Sequence, residues 1–213
     1  MGLIGLSTGT TGKESNVDRM VQAILEQSGQ PYEYVKLTDL TYSGCRGCVH
    51  LCAKPQVCML PDDLLPIYAK LREADAVVLG SPFFFGSINA CAISFIERFF
   101  GYRHVDIAIE NKPFVLVGVA GMGVDRVEAS FRQWLRPFRV SVLDCVVYRS
   151  KMPPCLHCGR HRECDIGGLH YMHGEAVHDM RITPEMKHVW EDDPDTVAAV
   201  QAAADKLNRL GTT

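Results

Sequence analysis

The 213-residue chain has no run of about 18 uncharged apolar residues, so no segment reads as a membrane-spanning helix. Its start, Met1 to Thr10, has neither the basic residues nor the apolar stretch of a secretory signal. Positive charge is not in excess: 22 Lys and Arg face 25 Asp and Glu, a net charge of −3. General nucleic-acid binders carry a basic surface, so that class is disfavoured, as is a membrane partner. Internal repeats and low-complexity tracts are missing. Apolar residues at 47% and charged residues at 22% exclude a disordered chain, a collagen or a coiled coil.

Cysteine is what the sequence does have. Nine cysteines without an export signal predict a reducing, cytoplasmic setting, and an odd number excludes a complete internal disulfide set. Seven fall in two clumps. Cytosolic thiols at short spacing bind metal or do redox chemistry more often than they pair.

Apolar runs alternate with amphipathic stretches. Strands are predicted at 2–6, 32–37, 76–80, 114–120 and 140–148. Between them, apolar residues recur at helical spacing: Val17, Met20, Val21, Ile24 and Leu25; then Leu64 to Leu71; then Ile93 to Phe100; then Val124 to Leu135. Ser15 with Asp18 has the spacing of a variant capping box. A last helix is expected to start at Asp193–Pro194, with a good cap and then Pro at the first helical position. This βα alternation predicts an α/β fold with a doubly wound five-stranded parallel sheet, its β-to-α loops gathered on one edge. Residues 1–149 form the predicted core and 184–213 the helix that completes it. Residues 150–183 are read as a Cys/His-rich insertion.

Three loops carry the chemistry of the predicted edge. The first, Ser7 to Asn16, is rich in hydroxyls and precedes a helix, whose N-terminus favours an anion. It lacks the Gly-x4-Gly-Lys-Ser/Thr phosphate loop, because Ser7 stands five before Gly12 and Glu14 follows Lys13. It also lacks a Gly-x-Gly-x-x-Gly fingerprint. Such a loop suits a phosphate monoester as on FMN, through Ser7, Thr8, Thr10, Ser15 and Asn16; the plainer reading is a flexible polar turn. The second loop, Ser81-Pro82-Phe83-Phe84-Phe85-Gly86, places three aromatics together. That suits a bed for a flat ring, or a hydrophobic plug or dimer contact. In the third, Gly121 and Gly123 could close the other side of that ring.

Cys45, Cys48, Cys52 and Cys58 lie within fourteen residues on the same edge. Compact thiolate sets hold iron–sulfur cages. An iron–sulfur cluster suits a neighbouring flavin because it relays single electrons, which zinc cannot; zinc and no metal remain the alternatives. The second clump is Cys155, Cys158 and Cys164, among His157, His161, His170, His173 and His178. It could bind zinc with an imidazole or with Cys145 as the fourth ligand, hold a second cluster, or be scattered reduced thiols. Cys91 is expected to be a buried small hydrophobe.

Together, the three loops, the Cys45-x2-Cys48-x3-Cys52-x5-Cys58-x3-Asp62-Asp63 pattern, Glu73-Ala74-Asp75-Ala76 and Gly80-Ser81-Pro82 resemble the flavodoxin-like NAD(P)H:FMN-reductase superfamily. The likeness is to its iron–sulfur flavoprotein branch and covers about residues 1–148. It departs from the branch's usual pattern in one spacing, three residues rather than two between Cys48 and Cys52. The resemblance implies a flavodoxin-like sheet with FMN at its edge, a [4Fe–4S] cluster beside it and a homodimer or homotetramer. The function expected is a redox flavoprotein passing electrons from a ferredoxin-like donor through the cluster and FMN to a small acceptor. The alternative is an NAD(P)H-dependent FMN or quinone reductase with structural zinc or no metal. No residue stands out as a catalytic acid or base.

Overall fold

The computed structural model describes residues 2–12, 15–151 and 153–211. In chain order the elements are β1 (Leu3–Ser7), α1 (Asn16–Gln27), β2 (Tyr32–Lys36), α2 (Val49–Cys52), α3 (Leu65–Glu73), β3 (Ala76–Phe84), β4 (Ser87–Ile88), α4 (Ala90–Glu97), β5 (Pro113–Ala120), α5 (Val127–Leu135), β6 (Ser141–Arg149), α6 (Cys155–Cys158), α7 (Gly168–His173) and α8 (Pro194–Leu210). Five strands run parallel in the order β2-β1-β3-β5-β6.

Strand residues alternate between two cores because successive side chains point to opposite faces of a sheet. Val77 and Leu79 join Leu71 of α3, Phe95 of α4 and Phe131 of α5 on one face. Ala76 and Val78 join Val21 and Ile24 of α1 and Val200 and Leu207 of α8 on the other. The central strands β1 and β3 are buried along almost all their length, as a sheet covered on both faces requires. At Gly80 a Cβ would stand 2.6 Å from Val21 Cγ2 and 2.7 Å from Val17 Cγ1. This glycine lets the start of α1 press against the strand ends, which fixes the first loop above them.

Two helix starts follow the sequence. Asp193 caps α8 by accepting from the amides of Asp195 and Thr196, with Pro194 as the first helical residue. Ser15 caps α1 by accepting from the Asp18 amide. The Asp18 carboxylate does not return to the cap; it accepts from Ser7 Oγ and pairs with Lys36.

The third strand differs from expectation. It continues to Phe84, and the expected loop 81–86 is the end of a strand plus a hairpin, with β4 antiparallel to it through Phe83–Ile88 and Phe84–Ser87. Ser81 and Pro82 still pair with β5, so the sheet extends where a loop was anticipated. The described residues of 150–192 leave β6 as short turns around a small apolar cluster of Leu156, Leu169 and Val177. Among the described residues no helix is long and apolar enough to cross a membrane.

Candidate cofactor site

The first loop spans the C-terminal end of β1 and the N-terminus of α1. Ser7 and Thr8 are fully buried beneath it. Ser7 Oγ donates to Asp18 Oδ1 and accepts from the Gly9 amide at 3.1 Å. Thr8 Oγ1 donates to the Gly80 carbonyl at 3.1 Å. Asn16 Oδ1 accepts from the Trp190 amide at 3.1 Å and from Arg19 at 2.7 Å. These side chains build the walls of the loop, whereas Thr10 is exposed at its rim. A Cβ at Gly9 would lie 2.1 Å from Asp18 Oδ1 and 2.3 Å from Ser15 Oγ, so only glycine lets the chain pass over the helix start. Lys36 Nζ closes the far side, donating to the carbonyls of Thr10 and Gly12 at 2.9 Å each while lying 2.6 Å from Asp18 Oδ2. The helix N-terminus below has unpaired amides and the positive end of a dipole, a seat for a phosphate. Lys13 and Glu14 lie outside the described residues.

The aromatic segment forms the second wall. Phe83 is buried, Phe84 is half exposed and Phe85 is fully exposed at the hairpin tip. Phe85 and Gly86 have φ of 52° and 84°, both in the left-handed region. A bulky aromatic held there, with its ring in water, is an arrangement that folding alone does not favour. Ser81 Oγ, beneath, accepts from the Asn89 amide at 3.1 Å. Gly121 and Met122 are exposed at the end of β5, and Gly123 turns the chain at φ 68°. Arg126 lies between the two segments. Its guanidinium nitrogens stand 3.8 Å from where a Cβ of Gly86 would be and 2.8 Å from that of Gly123.

The first cysteine clump lies in the β2-to-α3 connection. Val49, His50 and Leu51, the residues of the longer spacing, form the turn of α2, with Cys48 capping its start and Cys52 at its end. The Cys45 thiol accepts from the Gly47 amide, and Cys52 Sγ lies 3.1 Å from His104 Nε2. Burial pushes the Cys52 thiol up, and Cys58, Cys48 and Cys45 push it further. Arg98 is 1% exposed; its Nε donates to Cys58 Sγ at 3.2 Å and its Nη1 to Asp62. Its Nη2 is buried with no partner. A buried guanidinium that donates to the Cys58 thiol and keeps a spare donor suits an anionic thiolate set, so these residues fit an iron–sulfur cluster.

The other cysteines separate cleanly. Cys91 is half-buried, not buried as expected, because α4 turns it toward the rim and Tyr42 uses its carbonyl. Cys145 lies on β6, where burial, then Glu128 and Asp144, push its thiol up to about 12. Cys155, Cys158 and Cys164 line one cavity in the 150–192 lobe together with His161 and His170.

Residues 1–152 match the family model described as NADPH-dependent FMN reductase. The chain belongs to the NADPH-dependent FMN reductase family. Within the family it sides with the iron–sulfur flavoprotein branch. It is 30% identical over 129 residues to the iron–sulfur flavoprotein MJ1083 of Methanocaldococcus jannaschii, covering 59% of this chain and 64% of that protein. It is 26% identical over 141 residues to an iron–sulfur flavoprotein of Methanosarcina thermophila, covering 63% and 73%. The chain thus spans slightly less than two thirds of the first relative's length. Its fold is that of the two-electron-reduced Megasphaera elsdenii flavodoxin: TM-score 0.53 at 11% identity over 97% of this chain and 98% of that one. FMN is the flavin that the family's description names. The matched region ends where the lobe begins, so the second cysteine clump is an addition to the family's core.

Proposed function

We propose that the protein relays electrons between a [4Fe–4S] cluster on Cys45, Cys48, Cys52 and Cys58 and an FMN held across the sheet edge, from a ferredoxin-like donor to a small acceptor. The observation that carries it is the buried Arg98, with Nε on Cys58 Sγ and Nη2 unpaired beside the thiol loop. FMN exchanges one or two electrons and the cluster one, so together they join a one-electron carrier to a two-electron acceptor.

In this reading the start of α1 and the loop built by Ser7, Thr8, Thr10, Ser15 and Asn16 seat the phosphate. Ser81, Pro82, Phe83, Phe84, Phe85 and Gly86 lie along one side of the ring, with Gly121 and Gly123 along the other. Arg126 brings a positive charge between these two segments. Arg98 offsets the negative charge of the thiolates, and the backbone amide of Gly47 supports Cys45. Exposed Phe85 and Met122 add apolar surface that suits a homodimer or homotetramer with the flavin near the contact. The family model's own description favours a second donor, NADPH, for which the thiol loop would be structural.

The lobe adds a metal site of its own in this reading. His161 Nε2 donates to the Met180 carbonyl at 2.9 Å, which leaves Nδ1, buried and without a partner, as the lone pair in the wall of the cavity that Cys155, Cys158 and Cys164 line. A backbone carbonyl fixing the tautomer is the usual support of a metal-bound imidazole. His161, not Cys145, completes the set, because Cys145 keeps its proton far above neutral pH.

The test is Cys48→Ser in anaerobically prepared protein, read by iron, labile sulfide and FMN content. Iron and sulfide should fall while FMN stays. Ferredoxin-driven flavin reduction should fail while dithionite still reduces the flavin. Reduction by the carrier at the wild-type rate would leave the NADPH reading in its place.

A further inference from the structure

Beside the thiols of the lobe lies a different donor set. We propose that Asp165, His170 and His178 hold one divalent ion of the zinc class with no thiolate among its ligands, at the edge of the cavity that the lobe's cysteines line. One ligand atom from each of the three lies within 4.8 Å of the others, so the set is already assembled. His178 Nε2 is 3.2 Å from Asp165 Oδ1 and 3.7 Å from Glu175 Oε2. The two imidazoles meet edge to face, with centroids 5.8 Å apart and planes at 81°.

The unmet valences give the set its direction. His170 Nδ1 and His178 Nε2 are buried, and neither makes a hydrogen bond. Native structures rarely leave such atoms bare. A neutral imidazole keeps a lone pair on one nitrogen, and two imidazoles grouped with a carboxylate are satisfied together by a cation. A proton on His178 would answer Asp165 but leave His170 Nδ1 as it is.

The local chain explains the convergence. His170 sits in the middle of α7, and Gly174 follows at φ 60°, a conformation that favours glycine. The chain therefore folds straight back, and the turn over residues 174–179 carries His178 against His170. Among the described residues, Leu156, Leu169 and Val177 form a small buried cluster in this lobe. An ion joining residues 165, 170 and 178 would supply the cross-link that so small a core lacks.

The donor chemistry selects the ion. Two imidazoles and one carboxylate suit zinc or ferrous iron, whereas magnesium and calcium prefer all-oxygen sets. Three protein ligands leave at least one coordination position open. The Asp165 side chain is 74% exposed, so that position is reached from solvent. The site depends on neither the flavin nor the cluster.

Cobalt(II) is the probe, added anaerobically to the chelator-treated, FMN-loaded full chain. In a Cys155→Ser/Cys158→Ser/Cys164→Ser variant, one equivalent beyond that held by Cys45, Cys48, Cys52 and Cys58 should still bind, adding visible ligand-field bands without further thiolate-to-cobalt charge transfer. Adding His170→Gln and His178→Gln to that variant should remove that equivalent. With all cysteines kept, His170→Gln/His178→Gln should lower the cobalt stoichiometry of the full chain by one equivalent. Equal cobalt stoichiometry with and without the two histidines, in either background, would overturn the proposal.

Discussion

Asn89 Nδ2 donates to the carbonyl of Thr8 at 2.8 Å, joining the hairpin side of the site to the phosphate side across 81 residues of sequence. The same side chain caps α4 through the Ala92 amide and meets Ser81 Oγ. Asn89→Ala should remove a helix cap, at about 1 kcal/mol, and release the two walls from one another. FMN affinity should fall about tenfold, or ~1.4 kcal/mol. Fluorescence titration of apo-protein checks the affinity, and urea unfolding checks the stability.

Phe85 should show a conflict between stability and binding. Phe85→Asn creates Asn-Gly, the pair that two-residue hairpins with both central φ positive prefer. The apo-protein should gain about 0.5–1 kcal/mol, while the FMN dissociation constant rises. A variant that loses stability, or binds FMN unchanged, would show that Phe85 serves neither role.

Arg98 is fully enclosed, and its partner Asp62 is 20% exposed. Arg98→Met should leave a carboxylate and the Cys58 thiol without their donor, destabilising the fold by about 3 kcal/mol. Arg98→Lys, which keeps the charge, should retain more iron than Arg98→Met. Iron assays and denaturation of the three proteins side by side decide this.

Alkali should unfold the protein by a specific route. Burial pushes the Tyr68 and Tyr102 phenols well up and the Cys145 thiol up to about 12. The native state then holds protons that the unfolded chain releases from about pH 9 to 10 upward, so stability falls as pH rises through that range. The urea midpoint should drop steadily between pH 9 and 11, and less steeply in Cys145→Ala. The raised thiol also predicts that iodoacetamide labels Cys145 in apo-protein at least tenfold more slowly than exposed Cys45 near pH 8, read by mass spectrometry.

Much of the fold was legible because its signals are periodic. The α1 stripe from Val17 to Leu25, the apolar run of β3 and the Asp193–Pro194 start of α8 each declare one element. The end of β3 was not legible, because Ser81-Pro82 followed by aromatics carries turn chemistry. Pairing with β5 nevertheless extends the strand, a tertiary effect. At the site, the sequence named the loops but not the side chains that hold them. Asn89, Lys36 and Asp18 are ordinary polar residues until the chain folds them together. Arg98 was invisible for the same reason, being one of two adjacent charges, with Glu97, in the otherwise apolar stretch from Phe95 to Tyr102. The roles of His161 and of the Asp165, His170 and His178 set depend on which ring nitrogens go unpaired, a property of packing and not of spacing.

The lobe's two attachments have a consequence for how it is felt by the rest of the molecule. Its departure is pinned where the Ser150 amide donates to the Ala120 carbonyl, next to Gly121. Its return is pinned where Trp190 donates to Asn16 and Glu191 pairs with Arg19, at the start of α1. Because both ends are anchored, lengthening the excursion adds only a slow, logarithmic loop-closure entropy, so the core tolerates an elaborate appendage there. The anchors also straddle the two halves of the proposed FMN seat. Tension or slack in the lobe therefore acts on the spacing between those halves, much as a drawstring acts on the mouth of a bag.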